Sequence, residues 1–400
     1  MKRYDLITPE GTRDILFDDC VLRRQVEQQF HKIFRSSGYS EIVTPGLEFY
    51  DVFHLNSRYF PQESLYKLID HKGRLLVVRP DSTMPIARVV ATRLKEAALP
   101  LRLYYNQNVY SSNRSLAGRS DEVVQTGIEL IGSDSRRADL EVLSTAIEVL
   151  SACDESHFSL EIGHIGFFRE LVSQLHVNES TQESIRHLIE VKNYPALNDL
   201  LDSIGDSPAT TALKMLPRLF GGEEVFEKAA QLFHDEKIDS ILMNLKSIFT
   251  DLAKLGHNGK ITVDLGIVNR MDYYTGVVMK GYLPGCGEDV LSGGRYDKLL
   301  SDFGYDVPAT GFAVNVDAVV SVFRKKAERA LCLAPDVLVY GEDGFEMEAL
   351  IYARTLKESG KIVENAIFES IEQAKEYAGG KGIAQIVVIN EQNRGADDGE

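Results

Sequence analysis

The chain has 400 residues, of which 44% are hydrophobic, so it is long enough for two or three packed domains. No apolar run approaches the roughly 20 residues that span a bilayer, and the first residues lack the apolar stretch of a signal peptide. The four cysteines are scattered and lack CxxC spacing, which favours a reducing cytoplasm over disulfides or a cysteine metal site. The net charge of −16 argues against a nucleic-acid-binding surface, which needs clustered Lys and Arg.

The first half of the chain predicts a helix followed by several strands. Apolar residues between Leu22 and Phe34 recur at helical spacing within residues 18–37, and Gly38 suits the C-terminal cap of that helix. The next segment, GYSEIVTPGLEF, reads as a strand that enters a proline-marked turn. The runs GRLLVVRP, PLRLYYNQNVYSS and SDEVVQTGIELIG also have strand character, and their spacing favours an antiparallel sheet.

The second half predicts a helical insertion and a separate small domain. Residues 165–258 carry mostly helical patterns, after which strand signals resume in GKITVDLGIV, DYYTGVVMKGYL, SGGRYDKLL and ATGFAVNVDAVVSVF. From about residue 331 the order is β-α-β-α-β, which predicts a small α/β domain with a mostly parallel sheet. Residues 331–400 hold 14 Asp and Glu against 6 Lys and Arg, so their net charge is −8.

One predicted strand, residues 121–132, carries polar residues on a single face. Gln125, Gly127 and Glu129 alternate with apolar residues, so an amide, a gap and a carboxyl lie in a row. A half-exposed sheet with polar residues in water accounts for this pattern. The floor of a pocket for a small cationic ligand accounts for it too, and a glycine inside a strand often marks the close approach of a ligand or another backbone.

Two further segments have both an ordinary and a functional interpretation. Adjacent tyrosines such as Tyr273 and Tyr274 usually fill a core or an interface, but aromatic walls and phenol groups also suit an imidazole or amine site. The string RPDST, from Arg79 to Thr83, is typical of a turn with a helix N-cap. Neither segment is decisive alone.

Taken together, these segments resemble the class II aminoacyl-tRNA synthetases, specifically histidyl-tRNA synthetase, over nearly the whole chain. The matching segments are the opening Pro9–Asp14, motif 1 at Gly38–Glu48, motif 2 at Pro100–Gly132, the histidine-specific segment Ile267–Gly276, and motif 3 at GGRYDKLL and GFAVNVDAV. The resemblance implies an α+β fold in which residues 1–325 form a class II synthetase-like antiparallel sheet flanked by helices, with the insertion at 165–258. Residues 331–400 resemble a shortened anticodon-binding domain.

The resemblance also implies a histidine-binding pocket. The positions that match the family's histidine-contacting residues are Asp81, Thr83, Gln125, Glu129, Tyr273 and Tyr274. Asp81 stands where the family has Glu, so its carboxylate sits on a shorter arm. A carboxylate and an amide suit the ammonium group of the ligand, whereas Glu129 and the tyrosines suit its imidazole.

The residues that should hold ATP depart from the family pattern. Ser111 replaces the arginine for the α-phosphate, Asn269 replaces the histidine-specific arginine, and Ala318 replaces the motif 3 arginine for the γ-phosphate. Asn113 replaces the companion Glu of motif 2, and Asp121 replaces a further arginine. Each charge-assisted hydrogen bond contributes roughly 1.5–3 kcal/mol. Losing three or four of them costs about 5–10 kcal/mol, or roughly four to seven orders of magnitude in rate.

A retained histidine pocket without ATP chemistry resembles the family of ATP phosphoribosyltransferase regulatory subunits, which accompany the short form of the catalytic subunit. This resemblance implies a cytoplasmic chain with no catalytic residues, no cofactor and no metal, which forms a homodimer within a hetero-oligomer. Histidine would act as the effector in feedback inhibition of histidine biosynthesis, and neither nucleic acid nor a membrane would be a partner.

Three other functions remain to be weighed against this one. An active histidyl-tRNA synthetase would need arginines at positions 111, 269 and 318, which the sequence lacks. A pseudo-synthetase that senses histidine or uncharged tRNA through RNA contacts would need a basic C-terminal surface, and that region is acidic. A transferase like the asparagine-making relative would need the same ATP-binding arginines.

Overall fold

The computed structural model describes residues 3–54, 60–112, 120–257, 259–268, 273–326 and 334–393, and it divides into two compact units, Met1–Ala327 and Glu328–Glu400. The helices of the first unit are α1 (Asp18–Ser36), α2 (Tyr50–His54), α3 (Thr83–Arg93), α4 (Arg136–Asp154), α5 (Ile165–Ser173), α6 (Glu179–Glu190), α7 (Tyr194–Ile204), α8 (Pro208–Met215), α9 (Glu224–Leu232), α10 (Glu236–Ala253) and α11 (Val316–Lys326). Its strands are β1 (Ser40–Glu41), β2 (Leu47–Phe49), β3 (Lys67–Ile69), β4 (Leu75–Val78), β5 (Leu101–Tyr110), β6 (Glu122–Ile131), β7 (Ser159–His164), β8 (Phe220–Gly221), β9 (Ile261–Asp264), β10 (Val277–Tyr282), β11 (Leu291–Arg295) and β12 (Ala309–Asn315).

A nine-stranded sheet forms the centre of the first unit, in the order β1-β5-β6-β12-β11-β10-β7-β9-β8. The predicted antiparallel arrangement is confirmed for most neighbours, but β1 pairs with β5 and β7 pairs with β9 in parallel. The register of the antiparallel strands sets Glu129 of β6 opposite Leu103 of β5 on one side and Gly311 of β12 on the other. Residues directly opposite each other share a face, so this register decides which side chains meet above the sheet.

Helix α1, which the apolar periodicity of residues 18–37 predicts, packs on the face of the sheet opposite to Glu129. Leu22, Phe30 and Phe34 are fully or almost fully buried, and the helix packs against α11 and α4. Gly38 follows the helix with φ of +81°, a backbone conformation that residues with a Cβ rarely adopt. Burying this apolar stripe, rather than helix propensity, supplies most of the stability of such a helix.

The segment predicted as a mostly helical insertion holds the six helices α5 to α10 and one short strand. Side chains of Asn178, Asn193, Ser207 and Asp235 accept hydrogen bonds from the first backbone N–H groups of α6, α7, α8 and α10, which fixes where these helices begin. Strand β8 pairs with β9, so the segment is joined to the edge of the central sheet.

A second sheet, with the order β2-β4-β3, lies beside the motif 1 segment. The register places Phe49, Leu76 and Leu68 opposite one another, and Leu47 shares their face. Leu47, Phe49 and Leu68 are between 43% and 49% exposed, whereas Glu48 on the opposite face is buried and pairs with Arg88 of α3 at 2.5 Å. The small sheet therefore presents an apolar face to solvent.

The second unit is a three-layer α/β domain. It contains β13 (Val337–Gly341), α12 (Glu346–Glu358), β14 (Val363–Asn365), α13 (Ile371–Lys381) and β15 (Gln385–Ile389), and the strands form a parallel sheet in the order β14-β13-β15. One apolar cluster lies between the sheet and α12, and another lies between the sheet and α13. The β-α-β-α-β prediction is confirmed.

Within the described ranges, no helix is both long and apolar enough to cross a membrane. The described residues also include no cluster of three His, Cys, Asp or Glu side chains that could hold a metal ion.

Candidate functional site

A cavity of about 110 Å³ opens above the central sheet, where β6, β12 and β11 meet the start of α3. The residues that line it are Asp81, Thr83, Gln125, Glu129, Tyr273, Tyr274, Ser292, Tyr296, Gly311, Phe312 and Ala313. All six residues that sequence reasoning assigned to one pocket therefore surround one cavity.

Glu129 lines the cavity and is only 2% exposed. One carboxyl oxygen accepts a hydrogen bond from the Thr83 hydroxyl at 2.8 Å, and the other accepts one from the Tyr296 hydroxyl. Burial raises the pKa of the Glu129 carboxyl to about 8, although both hydrogen bonds act to lower it. A Cβ at Gly311 would stand 2.1 Å from this carboxyl, so the glycine on β12 leaves room for it.

Asp81 lies at the entrance to α3 and is also buried, at 6% exposure. Its Oδ1 accepts a hydrogen bond from the backbone N–H of Met84 at 2.9 Å, so the carboxylate caps the first turn of the helix. Burial raises the pKa of Asp81 to about 6, and backbone N–H groups at the helix start oppose this rise. The turn and N-cap interpretation of RPDST and its place in the pocket are therefore compatible.

Three tyrosines form the aromatic side of the cavity. The ring centroids of Tyr273 and Tyr274 are 4.8 Å apart, and those of Tyr273 and Tyr296 are 5.7 Å apart with an edge-to-face arrangement. All three side chains are less than 10% exposed. Such aromatic walls can stack on a flat ring and direct phenol groups at its nitrogen atoms.

Gly127 allows close contacts at the floor of the site. A Cβ there would stand 2.2 Å from the backbone carbonyl oxygen of Phe312 and 2.7 Å from the hydroxyl of Tyr105. The close approach that sequence reasoning predicted at Gly127 comes from a neighbouring strand and from this tyrosine. Beside it, the Oε1 atom of Gln125 is buried, and within the described part of the chain no group donates a hydrogen bond to it.

The positions that should hold ATP are placed around the far end of β5 and the start of α11. Ser111 follows β5, and its backbone N–H donates to the carbonyl of Asp121. The Asp121 carboxylate accepts a hydrogen bond from the Tyr66 hydroxyl at 2.5 Å. Ala318 lies in the first turn of α11 and is buried. Asn113 and Asn269 fall outside the described residues.

Two buried arginines nearby are already committed to the protein itself. The guanidinium of Arg79 donates to the Thr44 and Asn108 carbonyls at 2.7–3.0 Å and to the Gln107 side chain. The guanidinium of Arg295 pairs with Asp139 at 2.8 Å and with Asp297, which lies just beyond the end of β11, at 3.0 Å. The donors of both guanidinium groups are therefore directed at acceptors within the protein rather than into the cavity.

Sequence reasoning missed several residues of the site. Tyr296 is the most informative of them, because its hydroxyl donates a hydrogen bond to Glu129. In the sequence, its segment GGRYDKLL carries only the resemblance to motif 3. Ser292, Gly311 and Ala313 reach the cavity through strand register, for which one sequence offers little signal. Tyr105 lay within a predicted strand, but its contact with Gly127 depends on the register of β5 and β6.

Comparison with known proteins agrees with this architecture. The sequence model of the family described as histidyl-tRNA synthetase matches residues 11–319. Two curated proteins named ATP phosphoribosyltransferase regulatory subunit, from Clostridium kluyveri and Clostridium acetobutylicum, are 40% and 39% identical to this chain. These alignments cover 96% and 94% of this chain, and 99% and 93% of the two relatives.

A solved structure shows the same fold. It is described as an ATP phosphoribosyltransferase regulatory subunit/histidyl-tRNA synthetase from Bacillus halodurans, and its TM-score against this chain is 0.84 at 32% sequence identity. The match covers 97% of this chain and 99% of the other. The fold and the pocket thus define a class II synthetase-like protein of the histidyl-tRNA synthetase type. Within that class, the chain belongs to the family of ATP phosphoribosyltransferase regulatory subunits.

The raised pKa of Glu129 predicts a pH dependence of stability. As pH rises above the ordinary carboxyl range, the unfolded chain loses this proton first, while folded Glu129 keeps it until about pH 8. The folded state therefore loses stability over that interval. In urea unfolding, the wild type should lose stability between about pH 5 and 8 more steeply than Glu129→Gln, by up to about 1.4 kcal/mol per pH unit.

Glu141→Gln is the matched control for this measurement. Its hydrogen bond to Arg102 lowers the pKa of Glu141, so this carboxyl is ionised in both states throughout the interval. The free energy of unfolding of Glu141→Gln should therefore change with pH as steeply as that of the wild type between about pH 5 and 8. Parallel curves for the wild type and Glu129→Gln would contradict the raised pKa.

Proposed function

We propose that this chain is the non-catalytic regulatory subunit of an ATP phosphoribosyltransferase. It binds free histidine in the pocket around Glu129 and transmits feedback inhibition to a partner that carries out the first step of histidine biosynthesis. One observation carries the proposal. Asp81, Gln125, Glu129 and two tyrosines converge on a small cavity, while the positions for the phosphate-binding arginines hold other residues.

The loss of positive charge accounts for the absence of adenylation in this proposal. Activation of an amino acid by ATP develops negative charge on phosphate oxygens, and cationic donors directed at them supply most of the catalysis. Ser111 and Ala318 have no cationic group, and Asp121 adds a negative one. Arg79 cannot take over, because carbonyl and amide oxygens already hold its guanidinium.

We expect no histidine-dependent exchange between ATP and pyrophosphate. The reason is that phosphate oxygens would lack the three or four charge-assisted hydrogen bonds that account for about four to seven orders of magnitude in rate. Exchange of radiolabelled pyrophosphate into ATP measures this step directly, with an active histidyl-tRNA synthetase assayed in parallel. Turnover comparable to that enzyme would rule out a non-catalytic role.

The chemistry of the cavity supports histidine as its ligand. Glu129 is anchored by Thr83 and Tyr296, so its position is fixed before any ligand arrives, and a carboxyl group can exchange hydrogen bonds with an imidazole nitrogen. Asp81 keeps a negative charge above about pH 6 and suits an ammonium group. The ligand's own carboxylate lacks the arginine that Asn269 replaces, so affinity rests on the other two groups.

Substitution of Glu129 should weaken histidine binding at least about tenfold, because the hydrogen bond between its carboxyl group and the imidazole of the ligand is lost. Isothermal titration calorimetry of the wild type and Glu129→Ala checks this. Glu141→Ala is a suitable control, since this carboxylate pairs with Arg102 at 2.7 Å and does not line the cavity. Equal affinity in wild type and Glu129→Ala would place the histidine site elsewhere.

A regulatory chain acts only through a partner, so we further propose a hetero-oligomer with the short catalytic phosphoribosyltransferase subunit. Two states of that complex would bind histidine with different affinity, and the difference is the coupling free energy, typically about 1–3 kcal/mol. The acidic second unit gives no support to RNA binding, because residues 331–400 contain 14 Asp and Glu but only 6 Lys and Arg.

The apolar face of the small sheet supports a homodimer through the motif 1 region. Leu47, Phe49 and Leu68 present adjoining apolar side chains that are nearly half exposed. Contiguous exposed apolar surface of this kind marks association sites, and a two-fold axis would pair the patch with itself.

Leu47→Glu should convert the dimer to a monomer, because a two-fold interface brings the introduced charge in twice. Size-exclusion chromatography with light scattering measures the molar mass. Ile367→Glu, at a position 89% exposed in the second unit, controls for adding a surface charge. A dimer that survives Leu47→Glu would locate the interface away from this face.

A further inference from the structure

The aromatic side of the cavity is built from two segments that are separate in sequence. Tyr273 and Tyr274 precede β10, whereas Tyr296 follows β11. The antiparallel ladder between these two strands ends with the pair Val278 and Gly294, before it reaches the tyrosines. The distance between the rings therefore depends on contacts that lie beyond the end of the ladder.

Thr275 joins the two segments through hydrogen bonds of its backbone and its side chain. Its backbone N–H donates to the carbonyl of Arg295 at 2.7 Å. Its hydroxyl accepts a hydrogen bond from the backbone N–H of Asp297 at 2.9 Å and donates one to Oδ2 of the same residue at 3.1 Å. These partners lie immediately before and after Tyr296, so Thr275 holds the backbone on both sides of that tyrosine.

Arg295 ties this junction to another part of the first unit. Its buried guanidinium donates from Nε to Asp139 at 2.9 Å, and from Nη1 to the carbonyl of Ser133 at 3.0 Å. Asp139 lies in α4, and Ser133 lies just before that helix. The Nη1 atom also donates to Oδ1 of Asp297 at 3.0 Å. The Asp297 carboxylate therefore bridges the Thr275 hydroxyl and a guanidinium that is fixed from the other side.

Close packing leaves little room for the two segments to shift against each other. A Cβ at Gly294 would stand 2.9 Å from Cδ1 of the Tyr274 ring. A Cβ at Gly276 would likewise stand 2.9 Å from Cδ of Arg295. One tyrosine ring and the arginine side chain thus pack directly on glycine backbone, which permits this close approach.

We propose that Thr275 and Asp297 are positioning residues, which hold the tyrosines of the cavity in the arrangement that receives the imidazole ring of the ligand. This inference rests on the proposed histidine-binding function. The cavity-lining residues, within the described part of the chain, do not include Thr275 or Asp297, so the pair acts through the tyrosines rather than by contact with the ligand. Tyr296 also donates to Glu129, so its position sets that hydrogen bond too. Groups that are held in place before binding need no ordering when the ligand arrives, and this raises affinity.

The test is Thr275→Val, which removes the hydroxyl and keeps the size of the side chain. Isothermal titration calorimetry should show that affinity for histidine falls about tenfold, because the rings are no longer held in place before binding. Thr275→Ser restores the hydroxyl and should bind histidine as tightly as the wild type. The chain contains no tryptophan, so its near-ultraviolet circular dichroism is dominated by tyrosine. This spectrum should change in Thr275→Val and not in Thr275→Ser.

Asp297→Ala acts on the other side of the same contact and tests the inference independently of how well Thr275→Val folds. It should also weaken histidine binding about tenfold. The double variant should bind histidine more tightly than the product of the two single losses predicts, because both substitutions break one shared contact.

Thr145→Val is the matched control, because it removes a buried threonine hydroxyl that donates to the Glu141 carbonyl at 2.9 Å within α4. It should leave histidine affinity unchanged. If the wild type binds histidine and Thr275→Val and Asp297→Ala bind it equally well, the inference is wrong and the proposed function stands. Weak binding by Thr275→Ser, or an equal loss in Thr145→Val, would also overturn the inference alone. Failure of the wild type to bind histidine at all would overturn the proposed function and the inference with it.

Discussion

A carboxyl group buried between two hydroxyl donors is the constraint around which this pocket is arranged. Glu129 is removed from water, so it must be paired or protonated, and Thr83 and Tyr296 hold it in one position. Thr83 begins α3, and Tyr296 follows β11, so helix α3 and the strand ladder must meet at a fixed distance. Gly311 across the ladder leaves the space that this carboxyl occupies. The fold therefore fixes the position of the Glu129 carboxyl without any bound ligand.

Charge differs between the two ends of the site. The ligand end keeps buried carboxyls whose pKa values are raised by burial, and it suits a ligand that brings positive charge and hydrogen-bond donors. At the positions that the family resemblance assigns to phosphate binding, Ser111 and Ala318 carry no positive charge. The buried arginines close to the sheet, Arg79 and Arg295, are fixed by protein acceptors. Under the proposed function, a site of this kind binds an amino acid and does not stabilise a phosphoryl transition state. Binding without turnover is the property that a sensor needs.

The sequence predicted the architecture and much of the pocket, but for different reasons. Helix α1 and the parallel β-α-β-α-β unit follow from apolar periodicity and caps such as Gly38, which are local signals. The grouping of Asp81 with Glu129 follows from the family resemblance, because the alternation of polar and apolar residues on β6 fits a solvent-exposed sheet face equally well. The contacts of Tyr105 and Gly311 depend on strand register, and the two parallel strand pairs depend on topology. Neither is encoded in local patterns, so they could not be read from the sequence.

The most direct test joins the pocket to regulation. Phosphoribosyl transfer to ATP is measured for the short catalytic subunit, mixed with either the wild-type chain or Glu129→Ala, as histidine is added. We expect both mixtures to be active. Histidine should inhibit the wild-type complex at concentrations where the variant complex keeps its activity. Inhibition at the same histidine concentration in both complexes, or of the catalytic subunit alone, would contradict it.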